Sequence, residues 1–151
     1  MTDYVLDTHA CVFALVAPKR LGAAAQAALR NVEEGRGIAW IPAVAAEVVL
    51  LREVGRISIG LQQLMSAMER APSLRFLALD LPQLSEFAAH TGIRDPFDRL
   101  IIGACRTVGA KLVTKDRFLK NAAWFRRSGS NLGDILPFTN FAVSHSPPGS
   151  P

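Results

Sequence analysis

The chain has 151 residues, enough to bury one hydrophobic core and too few for two ordinary domains. Half of its residues are hydrophobic, which excludes disorder for the body of the chain, and no apolar run reaches the roughly 18 residues of a membrane span. The net charge is +4, yet residues 94–127 alone hold nine Lys or Arg against three Asp, a surplus larger than that of the whole chain. A basic stretch of this kind suits a polyanion such as nucleic acid, or forms a solvated face with no partner.

Tyr4-Val5-Leu6-Asp7 reads as a short buried strand ending in a carboxylate, followed by a helix through Cys11 to Val16 that Thr8 is expected to cap. Residues 21–34 are alanine-rich and read as a helix stopped at Gly35; residues 37–41 are extended, and Pro42 opens the next helix. That helix carries Glu47 in residues 43–51, a segment apolar almost all round, so it must be buried in the core or against another chain. Further helices are expected at 60–70 and 82–90 and a strand at 75–79, with Asp80 read as a helix-entry residue. Asp95-Pro96-Phe97-Asp98 starts a helix to about Val108, the strand Lys111 to Thr114 follows, then Asp116, and residues 135–138 add an edge strand. Residues 144–151 read as a disordered tail behind one domain of residues 1–143. The alternation gives an α/β fold, a three-layer α/β/α sandwich around a parallel sheet.

Cys11 and Cys105 match neither a disulfide framework nor a zinc spacing and are assigned to the core, which suits a reducing compartment. Asp3, Asp7 and His9 interrupt the apolar stretch of residues 1–16, and no basic segment precedes it, so the expectation is a cytoplasmic protein without a secretory leader.

In an open parallel sheet, ligands collect beyond the carboxyl ends of the strands. Asp7 and Asp116 directly follow strands, Asp98 lies in the first turn of a helix between two strands, and Glu47 sits early in its own helix. If strands 4–7 and 111–114 are neighbours, these acids share one crevice. Clustered carboxylates repel each other, and a divalent cation resolves the conflict; oxygen donors without a His or Cys pair suit Mg²⁺ or Mn²⁺. Each acid also has a plain structural reading. Asp95 precedes Pro96 as a helix cap, Asp98 favours the same helix's dipole, and Asp116 can cap a helix starting at Arg117. His9 is read as a local hydrogen-bonding residue rather than a general acid.

The segments Leu6-Asp7-Thr8-His9-Ala10, Glu47 with Gly55-Arg56-Ile57, Arg94 to Ile102, and Leu112-Val113-Thr114-Lys115-Asp116 together resemble the four acidic motifs of PIN-domain nucleases. The resemblance is greatest to the VapC-type toxins of type II toxin–antitoxin systems and covers roughly residues 3–138. It implies an Mg²⁺- or Mn²⁺-dependent endoribonuclease with Asp7, Glu47, Asp98 and Asp116 as catalytic acids, of which Asp7, Asp98 and Asp116 hold metal. Asp95 is auxiliary, and Thr8 and Thr114 stand beside the acids to hold a carboxylate or water. Arg99, Lys115 and Arg117 are expected to hold RNA phosphates, with Arg99 alternatively paired to Asp95 one turn away. Expected partners are RNA, a protein antitoxin and a second copy in a homodimer, with no membrane.

Two features depart from the pattern. The segment Pro42 to Ala46 lacks an expected serine and tryptophan, and Gly92-Ile93 stand where a histidine is often found. Two rival classes are weighed. A haloacid-dehalogenase-like phosphatase needs a second aspartate two residues after the first, where this chain has His9; a non-catalytic PIN-like scaffold binding RNA or protein would not need the full acidic set.

Overall fold

The structure is a computed structural model that describes residues 1–114 and the backbone of residues 135–137. Five short strands form one parallel sheet: β1 (Tyr4–Leu6), β2 (Ala39–Ile41), β3 (Leu74–Phe76), β4 (Lys111–Thr114) and β5 (Ile135–Pro137), in the order β3-β2-β1-β4-β5. Among the described residues the helices are α1 (Thr8–Val16), α2 (Ala23–Glu33), α3 (Ala45–Glu53), α4 (Leu61–Arg70), α5 (Leu81–Ala89) and α6 (Pro96–Val108), with a tight turn at Pro18–Arg20 between α1 and α2.

The side-chain period of a strand sorts the core into two layers. Tyr4 and Leu6 of β1, Ala39 and Ile41 of β2 and Val113 of β4 face one way, packing with Ala10 and Cys11 of α1, Ala25 and Ala28 of α2 and Leu64 of α4. Val5 and Leu112 face the other way, onto Ile101, Ile102, Ala104 and Cys105 of α6, while α5 packs against α6. This is the expected α/β/α sandwich. Both cysteines are buried in it, as anticipated.

The central strand is buried on both faces, so β1 is pinned on either side. It pairs with β4 in the register Tyr4↔Lys111, Val5↔Leu112, Leu6↔Val113, and with β2 through Tyr4↔Ala39 and Val5↔Trp40. Asp3 fastens the start of this assembly: its Oδ1 accepts the Ile38 N–H at 3.0 Å and its Oδ2 accepts Trp40 Nε1–H at 3.1 Å. Gly37 passes so close to Thr2 that a Cβ there would lie 1.9 Å from the Thr2 carbonyl oxygen.

Two expectations are revised. The cap of α1 is Asp7 and not Thr8: Asp7 has extended backbone and its Oδ1 accepts the Ala10 N–H at 2.7 Å, while Thr8 is the first helical residue. Both residue types cap helices, and the length of β1 decides between them. The strand expected at 75–79 is Leu74–Phe76, starting one residue earlier and ending at Phe76, because Asp80 caps α5 by accepting the Gln83 N–H at 2.9 Å and the chain must turn before it. The proposed tail at 144–151 lies outside the described residues.

Candidate active site

The site grows from the carboxyl end of β1. Since Leu6 pairs with Val113, Asp7 comes level with Thr114, and the Asp7 N–H continues the ladder to the Val113 carbonyl at 3.1 Å. Asp7 is only 5% exposed and Thr114 is fully buried. Its carboxylate is held at both oxygens: Oδ1 by the first turn of α1 and Oδ2 by the Thr114 hydroxyl, which donates a short hydrogen bond. A buried carboxylate with two donors satisfies the rule that charge leaves water only when paired.

Thr8 links this acid to the next. Its hydroxyl donates to Glu47 Oε2 at 2.6 Å, joining α1 to α3 across 39 residues of sequence. Glu47 stands in the first turn of α3, half-buried, and its carboxyl is pushed above its ordinary pKa first by burial and also by the nearby Asp95 charge, with the Thr8 bond acting in the opposite direction. The charge of Asp95, at the start of α6, is thus felt at Glu47 in α3. Asp7 extends its field inward too. Burial, then the Asp7 charge, pushes the Cys11 thiol up to about 12, and the same two causes raise Cys105.

Asp95 and Asp98 come from the start of α6, which packs against β1. Asp95 is exposed and caps the helix, its Oδ1 accepting the N–H groups of Phe97 at 2.8 Å and Asp98 at 3.1 Å. Asp98 is the third helical residue and partly exposed. Arg99 does not pair with Asp95: its Nε donates to the His90 carbonyl at 2.9 Å and its guanidinium lies 4.7 Å from the centre of the Phe87 ring. Asp116, Lys115 and Arg117 lie outside the described residues.

The donors brought together are carboxylate and hydroxyl oxygens, and both thiols are buried and hard to ionise, so the set fits a hard divalent cation in kind. Among the described residues no three His, Cys, Asp or Glu side chains come together in a group that could hold a metal ion. The resemblance implied that Thr8 and Thr114 hold a carboxylate or water; that Thr8 holds Glu47 and Thr114 holds Asp7 is decided by the structure.

A parallel sheet covered by helices on both faces, with Asp7 at the carboxyl end of β1 and with Glu47 and Asp98 in the first turns of two helices, defines a class, and the PIN-domain family model matches residues 4–124. The chain belongs to the PIN-domain family. Within it, the chain is 33% identical over 132 residues to Ribonuclease VapC22 of Mycobacterium tuberculosis (strain ATCC 25618 / H37Rv), covering 80% of this chain and 92% of that protein, and it is of the VapC type. Two solved structures share the fold. VapBC2 from Rickettsia felis, bound to a DNA fragment from its promoter, matches with a TM-score of 0.58 at 18% identity, over 79% of this chain and 92% of that one. DNA-bound VapBC from Salmonella typhimurium matches with a TM-score of 0.53 at 17% identity, over 91% and 97%.

Proposed function

We propose that this chain is an endoribonuclease, the toxin of a toxin–antitoxin pair, with Asp7, Asp98 and Asp116 as ligands for Mg²⁺ or Mn²⁺ and Glu47 as the fourth acid. The observation that carries the reading is the linkage Thr114–Asp7–Thr8–Glu47 at the carboxyl end of the central strand. Similarity to a ribonuclease of the same family supports it.

A divalent cation at such a site supplies Lewis acidity, neutralising phosphate charge and making water a better nucleophile. The chain's own residues do the rest. Asp7 offers a carboxylate fixed in direction by two donors, so little reorganisation accompanies its engagement. Thr8 holds Glu47 in one orientation, and Glu47, with its raised pKa, is suited to accept a proton from attacking water. Lys115 and Arg117, adjoining Asp116, hold flanking phosphates and carry no sequence readout.

The partners follow from exposed apolar side chains. The helix expected to need cover buries Ala45 and Val48 of α3 in the protein, whereas Leu50 and, just beyond α3, Val54 face outward at 49% and 69% exposure. This outer face is assigned to a protein partner, a second copy or an antitoxin, in line with the VapBC assemblies that share the fold. Among the described residues no helix is long and apolar enough to cross a membrane.

The test is cleavage of a labelled RNA by the purified chain in Mg²⁺, in Mn²⁺ and in chelator, beside Asp7→Asn. Metal-dependent cleavage that Asp7→Asn loses is the expected result. Retained RNA binding with no cleavage in either metal would replace this reading with that of a non-catalytic scaffold.

A further inference from the structure

We propose that Asp95 and Arg99 are positioning residues, forming a two-sided brace that sets the first turn of α6, and with it Asp98, against the Asp7–Glu47 end of the sheet. The inference rests on the nuclease reading and deepens it. Asp95 has extended backbone (φ −70°, ψ 121°), and the Asp98 N–H ends on its Oδ1. Asp95 thus fixes the backbone from which the Asp98 side chain departs.

Arg99 grips the same turn from outside. Its own N–H donates to the Asp95 carbonyl at 3.2 Å, while its Nε reaches back to the His90 carbonyl and its guanidinium covers Phe87 of α5. The His90 carbonyl also accepts the Ile93 N–H at 3.1 Å, and Ile93 is buried in the layer beneath the sheet. The connection from α5 to α6 is therefore tied down at His90, Ile93 and Asp95. A simple helix cap requires Asp95 alone; here two helices are held to each other at the residue that presents an acid. The turn also lies on the correct side: α6 packs against β1 and leads into β4, which runs parallel to β1, so its first turn stands at the carboxyl ends of these strands. An arginine so engaged is poorly placed to serve as a phosphate contact, which separates it from Lys115 and Arg117.

The experiment compares Asp95→Ala, Asp95→Ser and Asp95→Asn in the full chain, reading amide hydrogen exchange at Phe97 and Asp98 without metal, and kcat and KM on a short RNA with it. Asp95→Ala should speed exchange at both amides by roughly tenfold. It should lower kcat by on the order of ten- to a hundredfold with KM little changed, the signature of a misplaced group. Serine and asparagine also accept from helix N–H groups, so those variants should restore both readouts. If serine and asparagine keep the amides protected yet are as inactive as alanine, Asp95 engages metal or substrate directly and the brace is refuted. If alanine frees the amides without lowering kcat, the cap is only structural, and the proposal fails too. Arg99→Ala should lower kcat and leave the salt dependence of RNA binding unchanged; a shallower dependence would make it a phosphate contact and overturn its half of the proposal. Should the unmodified chain not cleave RNA, the nuclease reading falls, while exchange at Phe97 and Asp98 still decides whether these residues set the turn.

Discussion

The two arms of the candidate site are built on different principles. The first, Asp7 with Thr8 and Thr114, is buried in the middle of the sheet, and its side chains are fixed by strand register and by one another. The second, Asp95 and Asp98 at the start of α6, stands at the surface, fixed by a helix cap and a reach across to α5. Glu47 is tied to the buried arm by a hydrogen bond, and the Asp95 charge of the surface arm helps to raise its pKa. An acid made part of the fold is costly to change for two reasons, and an acid placed on a capped helix for only one.

The largest effect therefore belongs to Asp7→Ala. It should reduce cleavage on the order of a thousandfold, the upper size for removing one charge-organising group. It should also cost about 1–3 kcal/mol of stability by removing the α1 cap and leaving the Thr114 hydroxyl without this acceptor. Denaturant unfolding beside a cleavage assay measures both. On the clustered-acid reading, in which the carboxylates repel one another without metal, Asp98→Asn should match it in lost activity while leaving the apo chain as stable as before or more so. A clear loss of stability there would erase the contrast between the arms.

Glu47 gives smaller effects that depend on pH. Its pKa in the folded chain is raised above the ordinary 4.5, so the folded state holds that proton more firmly than the unfolded one. The resulting stabilisation is complete below pH 4.5 and disappears as pH rises through the raised value. Glu47→Gln should flatten that part of the stability profile, as followed by thermal melts across the pH range. Thr8→Val removes the bond that opposes the shift, so it should move the acidic limb of the rate profile to higher pH; movement to lower pH would show that Thr8 does not stabilise the ionised form.

The smallest effect tests how well the buried arm is sealed. With its pKa near 12, Cys11 should be almost inert to iodoacetamide at pH 8 in the native chain and react fully in denaturant. Native reactivity would mean that the helix beneath Asp7 opens readily.

The acids were legible as candidates because each stands at a boundary that periodicity can locate: Asp7 where an apolar run stops, Asp95 before a proline, Glu47 alone in an apolar helix. Which of two adjacent polar residues caps α1 was not legible, because Asp7 and Thr8 suit the role equally and only the end of β1 separates them. The alternative partner given to Arg99, the Asp95 carboxylate, failed for a similar reason. One turn of helix from Asp95 suggests an ion pair, whereas the nearby end of α5 offers a carbonyl and a ring that no local pattern reveals.

By itself, the sequence determined the class of fold and singled out the candidate acids, since hydrophobic period selects strand or helix over a few residues and acidic side chains declare their charge wherever they stand. It also placed Asp7 at a strand end and Asp95 at a helix start, both of which are local events. Only the tertiary structure decided that Thr8 meets Glu47 and that Thr114 meets Asp7, contacts spanning 39 and 107 residues. Such pairings depend on the order and register of parallel strands joined by long crossovers, and register is fixed by the packing of the whole sheet between its two helical layers.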